Sequence, residues 1–406
     1  MGKMITALDV GSHEIRAVMI KILDKETPQV IGVARTLSRG IKKGVVIDIH
    51  EASEVIVKIL KELEMISGIK PTPVITTING VNLQSLLSKG IIAVSRADRE
   101  ISDSDVARSL KAAQSASLGP NREILDVIAR DFTIDNEEGI KNPVGMNGVR
   151  LEANAVIMSA SAASMRNLSR AIELSGSHVE QFIAGPLASA QGVISPRQKD
   201  LGVLVCDIGS DTTGIIIYEE GEVSYFEILP VGASLITSDI AIGLRIDIDT
   251  AETIKVKYGR TLSGEIRKTE MIELHSLGFG EDLRVRRQEV AEIIHARTVE
   301  ILALVSKTLE KTGAKNFLPA GVVLVGGGAK LEGLISLAKD QLRLPVRIGY
   351  PENFQGLVEQ IADPTFARVA GLVAWEQKHN PSLSNRDSYM SKFGNSFQTF
   401  LNRILP

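Results

Sequence analysis

Runs of apolar residues and amphipathic stretches alternate along most of the chain. Aliphatic runs of the kind that form buried strands stand at 15–20, 74–78, 201–205, 215–218 and 322–325. Apolar residues recur every three or four positions, as on one face of a helix, at 50–66, 104–117, 162–175, 288–311 and 331–342. This alternation of the two patterns predicts an α/β fold.

The C-terminal end has a different composition. Residues 377–390 are mostly polar and include Pro381, which predicts a linker. In 391–406 the apolar residues fall on one side of a helical wheel, which predicts an amphipathic helix. Its place after a linker favours binding to membrane lipid, with packing on the body of the protein or in a partner's groove as the alternative. The predicted membrane-binding residues are Phe393, Phe397, Phe400, Leu401, Ile404 and Leu405.

This predicted helix offers little charge to a membrane, since its basic residues are Lys392 and Arg403. We expect one copy to bind lipid reversibly, because ordering the helix and incomplete insertion offset the burial of its apolar side chains. Polymerisation would place many such helices on one surface and convert weak contacts into firm attachment.

Composition narrows the class of protein. The chain has 406 residues, enough for about two to four units with separate cores. Its net charge of -3 argues against a nucleic-acid partner bound through bulk charge. Cys206, in an apolar run, has no ligand-like spacing to any histidine, which predicts a buried strand residue, a reducing compartment and no structural metal. No apolar stretch reaches the roughly 18 residues that cross a bilayer, so we expect the body of the protein in the cytosol.

An internal repeat is the clearest sign of organisation. Residues 7–18 and 205–216 both read as a strand that ends in Asp, a small aliphatic residue, Gly-Ser, a short polar turn and a second strand. Two related halves that each open with this hairpin would explain the repeat.

The two repeated turns have the chemistry of phosphate clamps. Gly11 and Gly209 allow a phosphate to approach the backbone N–H groups closely. Asp9 and Asp207 would then face the phosphates from opposite sides of a cleft, an arrangement that calls for a hard cation between them. The pattern therefore predicts Mg²⁺, held through water by Asp9 and Asp207.

Three glycines, Gly326, Gly327 and Gly328, follow the apolar run 322–325 and could lie against a base or a ribose. Leu331 stands where a dinucleotide fingerprint has its third glycine, and the sequence has no Gly-Lys-Ser/Thr loop, so neither a Rossmann dehydrogenase nor a P-loop enzyme is supported. A single Asp-x-Gly-Ser turn is usually an ordinary hairpin. The pair of turns followed by three glycines favours a nucleotide site.

In this order of elements the chain resembles the superfamily of actin, heat-shock chaperones and sugar kinases. Within it the chain is similar to the FtsA family of bacterial cell-division proteins. Residues 94–106 and 138–154 resemble that family's small inserted subdomain, and 231–241, 251–257 and the C-terminal helix extend the similarity. The resemblance implies an α/β, actin-like two-lobed ATPase fold with an inserted small α+β subdomain and a C-terminal amphipathic helix.

The resemblance also implies domain boundaries. They are 1–80 and 162–195 for the first lobe (subdomain 1A), 81–161 for the inserted subdomain 1C, 196–225 and 307–376 for the second lobe (subdomain 2A), 226–306 for subdomain 2B, 377–390 for the linker and 391–406 for the membrane-targeting helix.

The family's ATP site carries over onto matching positions. Arg16 could instead be a solvated strand residue, and Glu252 with Lys255 could be a plain helix ion pair. The implied nucleotide-binding residues are Asp9, Gly11, Ser12 and Arg16 at the first turn, Asp207, Gly209, Ser210, Thr212 and Thr213 at the second, Glu252 and Lys255 near ribose and base, and Gly326, Gly327 and Gly328 opposite them.

One position departs from the superfamily pattern. The helix that links the lobes commonly begins with a Glu or Gln that orients the attacking water, whereas Gly185 stands here. Losing such a group typically removes a factor of about 10² to 10⁴ in rate. We therefore expect tight ATP binding with hydrolysis that is slow or dependent on a partner.

The resemblance implies a peripheral protein on the cytoplasmic face of the membrane at the division site. It would polymerise with itself, contact other division proteins and anchor the ring protein FtsZ, whose C-terminal tail would bind Arg297 and Glu300. A solvated helix face is the plain alternative for that pair. Two other functions stay open, a metabolic phosphotransferase of the same superfamily and a pilus-assembly relative that recruits another membrane partner.

Overall fold

The computed structural model describes residues 2–23, 27–115, 118–277 and 284–379. No helix within these ranges is long and apolar enough to span a bilayer. The predicted amphipathic helix lies outside the described residues, as do the membrane-binding positions assigned to it, Phe393, Phe397, Phe400, Leu401, Ile404 and Leu405.

The first lobe is built on a mixed sheet with the strand order β11-β6-β1-β2-β3-β19. The first three strands of the chain form an antiparallel meander, and β6 and β11 continue the sheet parallel to β1. Numbered in chain order, these strands are β1 (Lys3–Val10), β2 (Glu14–Ile22), β3 (Gln29–Leu37), β6 (Val74–Ile78), β11 (Val179–Ala184) and β19 (Gln355–Gly356).

Helices cover this sheet because their apolar faces pack on its buried strands. The first helix begins after Asp48, whose carboxylate accepts a hydrogen bond from the Glu51 N–H at 3.0 Å, and ends at Gly68 in the left-handed region. The helices of this lobe are α1 (Ile49–Ser67), α3 (Ala162–Glu173), α4 (Gly185–Val193), α10 (Val358–Ile361) and α11 (Ala367–His379), and a small hairpin, β4 (Ile41–Lys42) with β5 (Val45–Val46), precedes α1.

A separate α+β unit is inserted between β6 and α3. Its antiparallel sheet has the order β7-β10-β8-β9, and one helix packs on it so closely that a side chain at Gly90 would overlap the carbonyl oxygen of Ser109. Ile101, Leu110 and Leu151 belong to its own buried core. The elements are β7 (Gln84–Ala93), α2 (Asp103–Gln114), β8 (Arg122–Ile134), β9 (Glu137–Ile140) and β10 (Arg150–Ser161).

The second lobe repeats the first. Its sheet order, β14-β13-β12-β17-β18, matches β3-β2-β1-β6-β11 strand for strand, with the same antiparallel meander and parallel continuation. Cys206 is buried in it, as predicted. The elements are α5 (Pro196–Leu201), β12 (Val203–Ile208), β13 (Thr213–Glu219), β14 (Glu222–Leu229), β17 (Val322–Val325), α9 (Leu334–Leu342) and β18 (Val346–Ile348).

A helical unit lies between β14 and β17. Ile236, Ile254 and Ile294 come from three different helices and meet in its core. Its elements are α6 (Ser234–Leu244), α7 (Ile248–Tyr258), β15 (Met271–Glu273), β16 (Arg284–Arg286) and α8 (Arg287–Thr312). Among the described residues the chain is therefore a mixed α/β fold of two similar lobes, each with an added unit.

Candidate functional site

The two turns predicted from the internal repeat have the same geometry. In the first, Val10 pairs with Ile15 and the Gly11 N–H donates to the Glu14 carbonyl at 3.2 Å. In the second, Ile208 pairs with Thr213 and the Gly209 N–H donates to the Thr212 carbonyl at 2.9 Å. A Cβ at Gly11 would lie 2.7 Å from the Glu14 oxygen, and one at Gly209 would lie 2.9 Å from the Thr212 oxygen. Both glycines are therefore needed to form these turns.

A buried carboxylate stands before each turn. Asp9 is 2% exposed and accepts a hydrogen bond from the Thr77 hydroxyl at 2.6 Å. Asp207 is 2% exposed and accepts one from the Ser189 hydroxyl at 2.5 Å. These hydroxyl groups come from β6 and α4, so the core of the first lobe orients both carboxylates.

Arg368, near the start of α11, lies between these carboxylates. Its Nε donates to Asp207 Oδ2 at 2.7 Å, and its Nη1 lies 3.6 Å from Asp9 Oδ1. Burial by itself lowers the pKa of Arg368, but the charges of Asp207 and Asp9 outweigh burial and raise that pKa above its ordinary value. The two turns of the repeat therefore meet at one guanidinium.

The hairpin before α1 forms hydrogen bonds to both turns. The Gly44 N–H donates to the Ser12 hydroxyl at 2.8 Å, and the Lys43 N–H donates to Asp211 Oδ2 at 2.8 Å. Asp211 also accepts from the hydroxyl groups of Ser210 at 3.2 Å and Ser234 at 3.1 Å. The hairpin is therefore bonded to a turn from each lobe.

The second turn is supported from behind by the segment that follows β14. The Thr213 hydroxyl donates to the Val231 carbonyl at 2.8 Å, and the Ala233 N–H donates to the Gly209 carbonyl at 2.9 Å. Thr212 is 7% exposed beside them. The Thr213 hydroxyl therefore stabilises the turn. The sequence analysis had assigned this residue to nucleotide binding.

Glu252 and Lys255 of α7 form a hydrogen-bonded group with Thr237 of α6. Lys255 Nζ donates to Glu252 Oε2 at 2.6 Å and to the Thr237 hydroxyl at 2.8 Å, and that hydroxyl donates to Glu252 at 2.5 Å. Partial burial raises the pKa of Glu252, but Lys255, the Thr237 hydroxyl and the charge of His13 lower it below its ordinary value. Since His13 belongs to the first turn, its effect on the pKa of Glu252 indicates that the Glu252 and Lys255 pair lies near that turn.

The three glycines after β17 follow the strand that pairs with β12, and the first of them lies against Asp207. Gly326 has a φ of 82°, and a Cβ there would lie 2.6 Å from Asp207 Oδ1, so this position requires glycine. A side chain at Gly328 would overlap Ile208. A Cβ at Gly327 would meet no atom within 4 Å, so its backbone borders open space.

Arg16 is placed one strand away from the carboxylates. It forms an ion pair with Glu14, and its guanidinium carbon lies 5.8 Å from the centre of the Phe366 ring. Its side chain is 13% exposed, so it is not the solvated strand residue of the alternative interpretation.

Gly185 begins α4 directly beside Arg368. A side chain here would overlap the amide oxygen of Asn79, and its Cβ would lie 3.6 Å from Arg368 Nε. Asn79 therefore occupies the space that a side chain at residue 185 would need.

Mg²⁺ does not fit between Asp9 and Asp207 as they stand here. The guanidinium of Arg368 already contacts both carboxylates, and two positive centres would repel each other there. No cluster of three or more His, Cys, Asp or Glu side chains suited to a metal occurs in the described part of the chain.

Arg297 and Glu300 lie away from the cleft, on α8. Arg297 makes two hydrogen bonds to Asp239 of α6, at 2.6 Å from Nε and 3.0 Å from Nη2, and a third to Glu300 at 2.6 Å. The side chain of Glu300 is 63% exposed. Arg297 thus links two helices, whereas Glu300 is accessible.

Sequence reasoning missed Arg368, Thr77 and Asn79. Arg368 left a signal, because it is a lone charged residue in the otherwise apolar stretch from Phe366 to Trp375. Thr77 and Asn79 left none, since small polar residues at the end of a strand are common.

Comparison with known proteins was made on sequence and on fold. The family description "Cell division protein FtsA" matches residues 204–371, and "SHS2 domain inserted in FTSA" matches residues 80–159. The cell division protein FtsA of Pseudomonas aeruginosa is 34% identical over 98% of this chain and 94% of its own length. The protein of the same description from Escherichia coli K12 is 31% identical over 91% of this chain and 90% of its own length.

Solved structures share the fold at low identity. A chain of the PilM-PilN type IV pilus biogenesis complex has a TM-score of 0.66 at 17% identity and covers 94% of this chain and 99% of that one. MreB5 of Spiroplasma citri bound to ADP has a TM-score of 0.53 at 13% identity, covering 92% and 96%. These likenesses show an actin-like fold, and the nearly full-length sequence relatives show that the chain belongs to the FtsA family of cell-division proteins.

Proposed function

We propose that this chain is an ATP-binding, actin-like cytoskeletal protein that polymerises on the cytoplasmic face of the membrane and anchors the FtsZ division ring. The observation that carries the nucleotide-binding part is the contact of both repeated turns with Arg368, through Asp9 and Asp207. Membership of the FtsA family supports the role in cell division.

The cleft offers a complementary surface for each part of ATP. The N–H groups of Gly11 and Gly209 are bonded within their own turns, so we assign phosphate binding to the backbone N–H groups that follow these glycines, since successive backbone N–H groups are a favoured way to bind an anion. We assign the base and ribose to the exposed backbone at Gly327 and to the Glu252 and Lys255 pair. MreB5 of Spiroplasma citri, which shares the fold, has been solved bound to ADP and to AMPPNP.

Hydrolysis in this cleft should be slow. The position that would orient the attacking water is Gly185, and the surrounding space is filled by Asn79 and Arg368. Without that group the expected loss is a factor of about 10² to 10⁴ in rate. ATP would then act mainly as a ligand that joins the lobes, with turnover left to a partner.

Filament formation and membrane attachment complete the proposal. MamK, which shares the fold with a TM-score of 0.52 at 13% identity and covers 92% of this chain and 98% of its own, has been solved as a double helical filament. The sequence of 391–406 has the apolar face of an interfacial helix. Many copies of this helix on one filament would bind a membrane more firmly than one copy.

The FtsZ tail would bind on α8. Glu300 is the accessible member of the predicted pair, while Arg297 holds α8 against α6 and so fixes the position of Glu300. We therefore assign direct contact to Glu300 and a positioning role to Arg297.

The nucleotide proposal is tested by filling the open space beside the glycine turn. Gly327→Leu places a side chain where the base would lie, at a position where an added Cβ meets no atom within 4 Å. Gly264→Leu is the matched control, because a Cβ there also meets nothing within 4 Å and Gly264 is not among the residues assigned to the nucleotide site. We expect Gly327→Leu to weaken binding of a fluorescent ATP analogue by about tenfold or more, and the control to match the wild type.

Equal affinity of the two variants would contradict the assignment of the base to Gly327. Absence of analogue binding to the wild-type protein would contradict nucleotide binding altogether. Rapid phosphate transfer from ATP to small sugars or acids would instead favour the metabolic phosphotransferase.

A further inference from the structure

Arg368 stands where the charges of the two turns converge. Its side chain is 14% exposed, and the side chains of Asp9 and Asp207 are almost fully buried. Charged groups this deeply buried are stable when they are paired, and removing one partner of such a pair is strongly destabilising. The guanidinium of Arg368 therefore stabilises the contact between the two lobes, because it pairs with one buried carboxylate from each.

The helix that carries Arg368 is fixed by backbone packing. A side chain at Gly371 of α11 would overlap the carbonyl oxygen of Ala188 in α4, and one at Gly192 would overlap that of Ala367. Close packing at two places leaves α11 no room to slide along α4. Arg368 therefore enters the cleft from a rigid support.

The Nη2 atom of the Arg368 guanidinium lies near the second turn. Nε and Nη1 contact Asp207 and Asp9, while Nη2 lies 3.8 Å from the position that a Cβ would take at Gly209. Arginine has five N–H donors in a planar fork, so contact with two carboxylates does not exhaust them. A phosphate seated at Gly209 would be within reach of this group.

We propose that Arg368 is the resident cation of the cleft, which neutralises Asp9 and Asp207 and offers Nη2 to the phosphates of a bound nucleotide. Binding of an adenine nucleotide then depends little on Mg²⁺, in contrast to the magnesium site predicted from the sequence. This inference rests on the proposed nucleotide-binding function and deepens it.

The first test uses the full wild-type chain and a fluorescent ADP analogue. Its dissociation constant is measured in buffer with Mg²⁺ and in buffer with EDTA. We expect the two values to differ by less than about tenfold. A loss of affinity of about tenfold or more in EDTA would overturn the proposal, whereas absence of binding in both buffers would overturn the proposed function and this inference with it.

The second test needs no nucleotide. Arg368→Ala leaves two carboxylates without their cation, so added Mg²⁺ should raise the Tm of this variant by about 2 °C or more. The wild type and the control Arg347→Ala, which removes a half-buried arginine bonded to Val193 and Gln198, should show no such rise. An equal rise in all three proteins would contradict the proposal, and if Arg368→Ala does not fold, a Mg²⁺-dependent rise in the wild-type Tm contradicts it as well.

Discussion

Asp126 is a buried acid at the contact between the inserted unit and the second lobe. Its Oδ2 has no hydrogen-bond partner among the described residues, and its charge reaches Tyr218 of β13. Burial raises the pKa of Asp126 to about 6, although the Val127 N–H bond and the charge of Lys378 act in the opposite direction. This carboxyl group is therefore more easily ionised in the unfolded chain than in the folded one.

The raised pKa predicts how stability changes with pH. Between the ordinary value of 3.8 and about 6 the folded protein holds more protons at Asp126 than the unfolded chain, so this residue lowers stability as pH rises through that range. We expect Asp126→Asn to raise the free energy of unfolding at pH 7.5 by about 2 to 3 kcal/mol, since a shift of about two pKa units corresponds to about 3 kcal/mol. Below pH 4 the difference should vanish, as denaturant unfolding at several pH values would show.

The matched control for this prediction is Glu123→Gln on the same strand, where the side chain is 47% exposed. A gain at pH 7.5 that persists unchanged below pH 4 would point to packing and away from ionisation.

At single positions the sequence was informative where a residue type has a local consequence. Gly11 and Gly209 were predicted because tight turns need glycine, and both stand in such turns. Arg368 was missed because it lies about 160 residues beyond Asp207 along the chain, and only the packing of α11 against α4 brings it there. From the sequence pattern we predicted that Mg²⁺ neutralises Asp9 and Asp207. In the structure the side chain of Arg368 pairs with both carboxylates.

Among the elements, α8 carries the proposed partner surface. Hydrogen bonds to Asp239 fix the side chain of Arg297. Glu300 is therefore the more exposed member of the predicted pair. The helix is 26 residues long, so a second acid on it, Glu310, lies about 15 Å farther along. The same charge change can therefore be made at two places on one helix.

We expect Glu300→Lys to weaken binding of an FtsZ C-terminal peptide by about threefold to tenfold, because reversing an exposed charge at an interface has effects of this size. Glu310→Lys should leave the affinity unchanged. Fluorescence anisotropy with a labelled peptide measures both. If neither variant alters the affinity, α8 is not the peptide site.

The types of the elements were predicted well from the sequence. Some predicted boundaries differ from the observed ones by a few residues. The predicted helix at 50–66 is Ile49–Ser67, and the predicted strand at 322–325 is Val322–Val325. The helix predicted from 331 starts at Leu334, because Gly327–Lys330 form a 3₁₀ turn and Gly333 has a φ of 83°. Periodicity reports which face is buried, whereas glycine geometry decides where a helix can start.

On the scale of the whole molecule, membrane attachment is a prediction from the sequence of 391–406. We expect Phe400→Glu to reduce co-sedimentation of the full chain with anionic liposomes by about tenfold, because a charge on the apolar face opposes insertion. Asn402→Glu, on the polar face, should reduce it much less. Equal loss in both variants would indicate that charge repulsion, and not an apolar face, governs binding.

The duplicated architecture of the molecule was predictable because a repeat in sequence leaves a repeat in structure. Both sheets share their strand order, and both turns share their hydrogen bond. The placement of one lobe against the other could not be predicted from the repeated segments. It depends on contacts from outside them, those of Arg368 and of the Lys43 N–H to Asp211.

The most direct test of this account is hydrogen exchange at the two turns, measured by mass spectrometry with and without an ATP analogue. If the phosphates are held between the lobes, peptides that contain Gly11 with Ser12 and peptides that contain Gly209 with Ser210 should both exchange more slowly when the analogue is bound. Protection of one turn without the other, or of neither at saturating analogue, would contradict a nucleotide held by both halves.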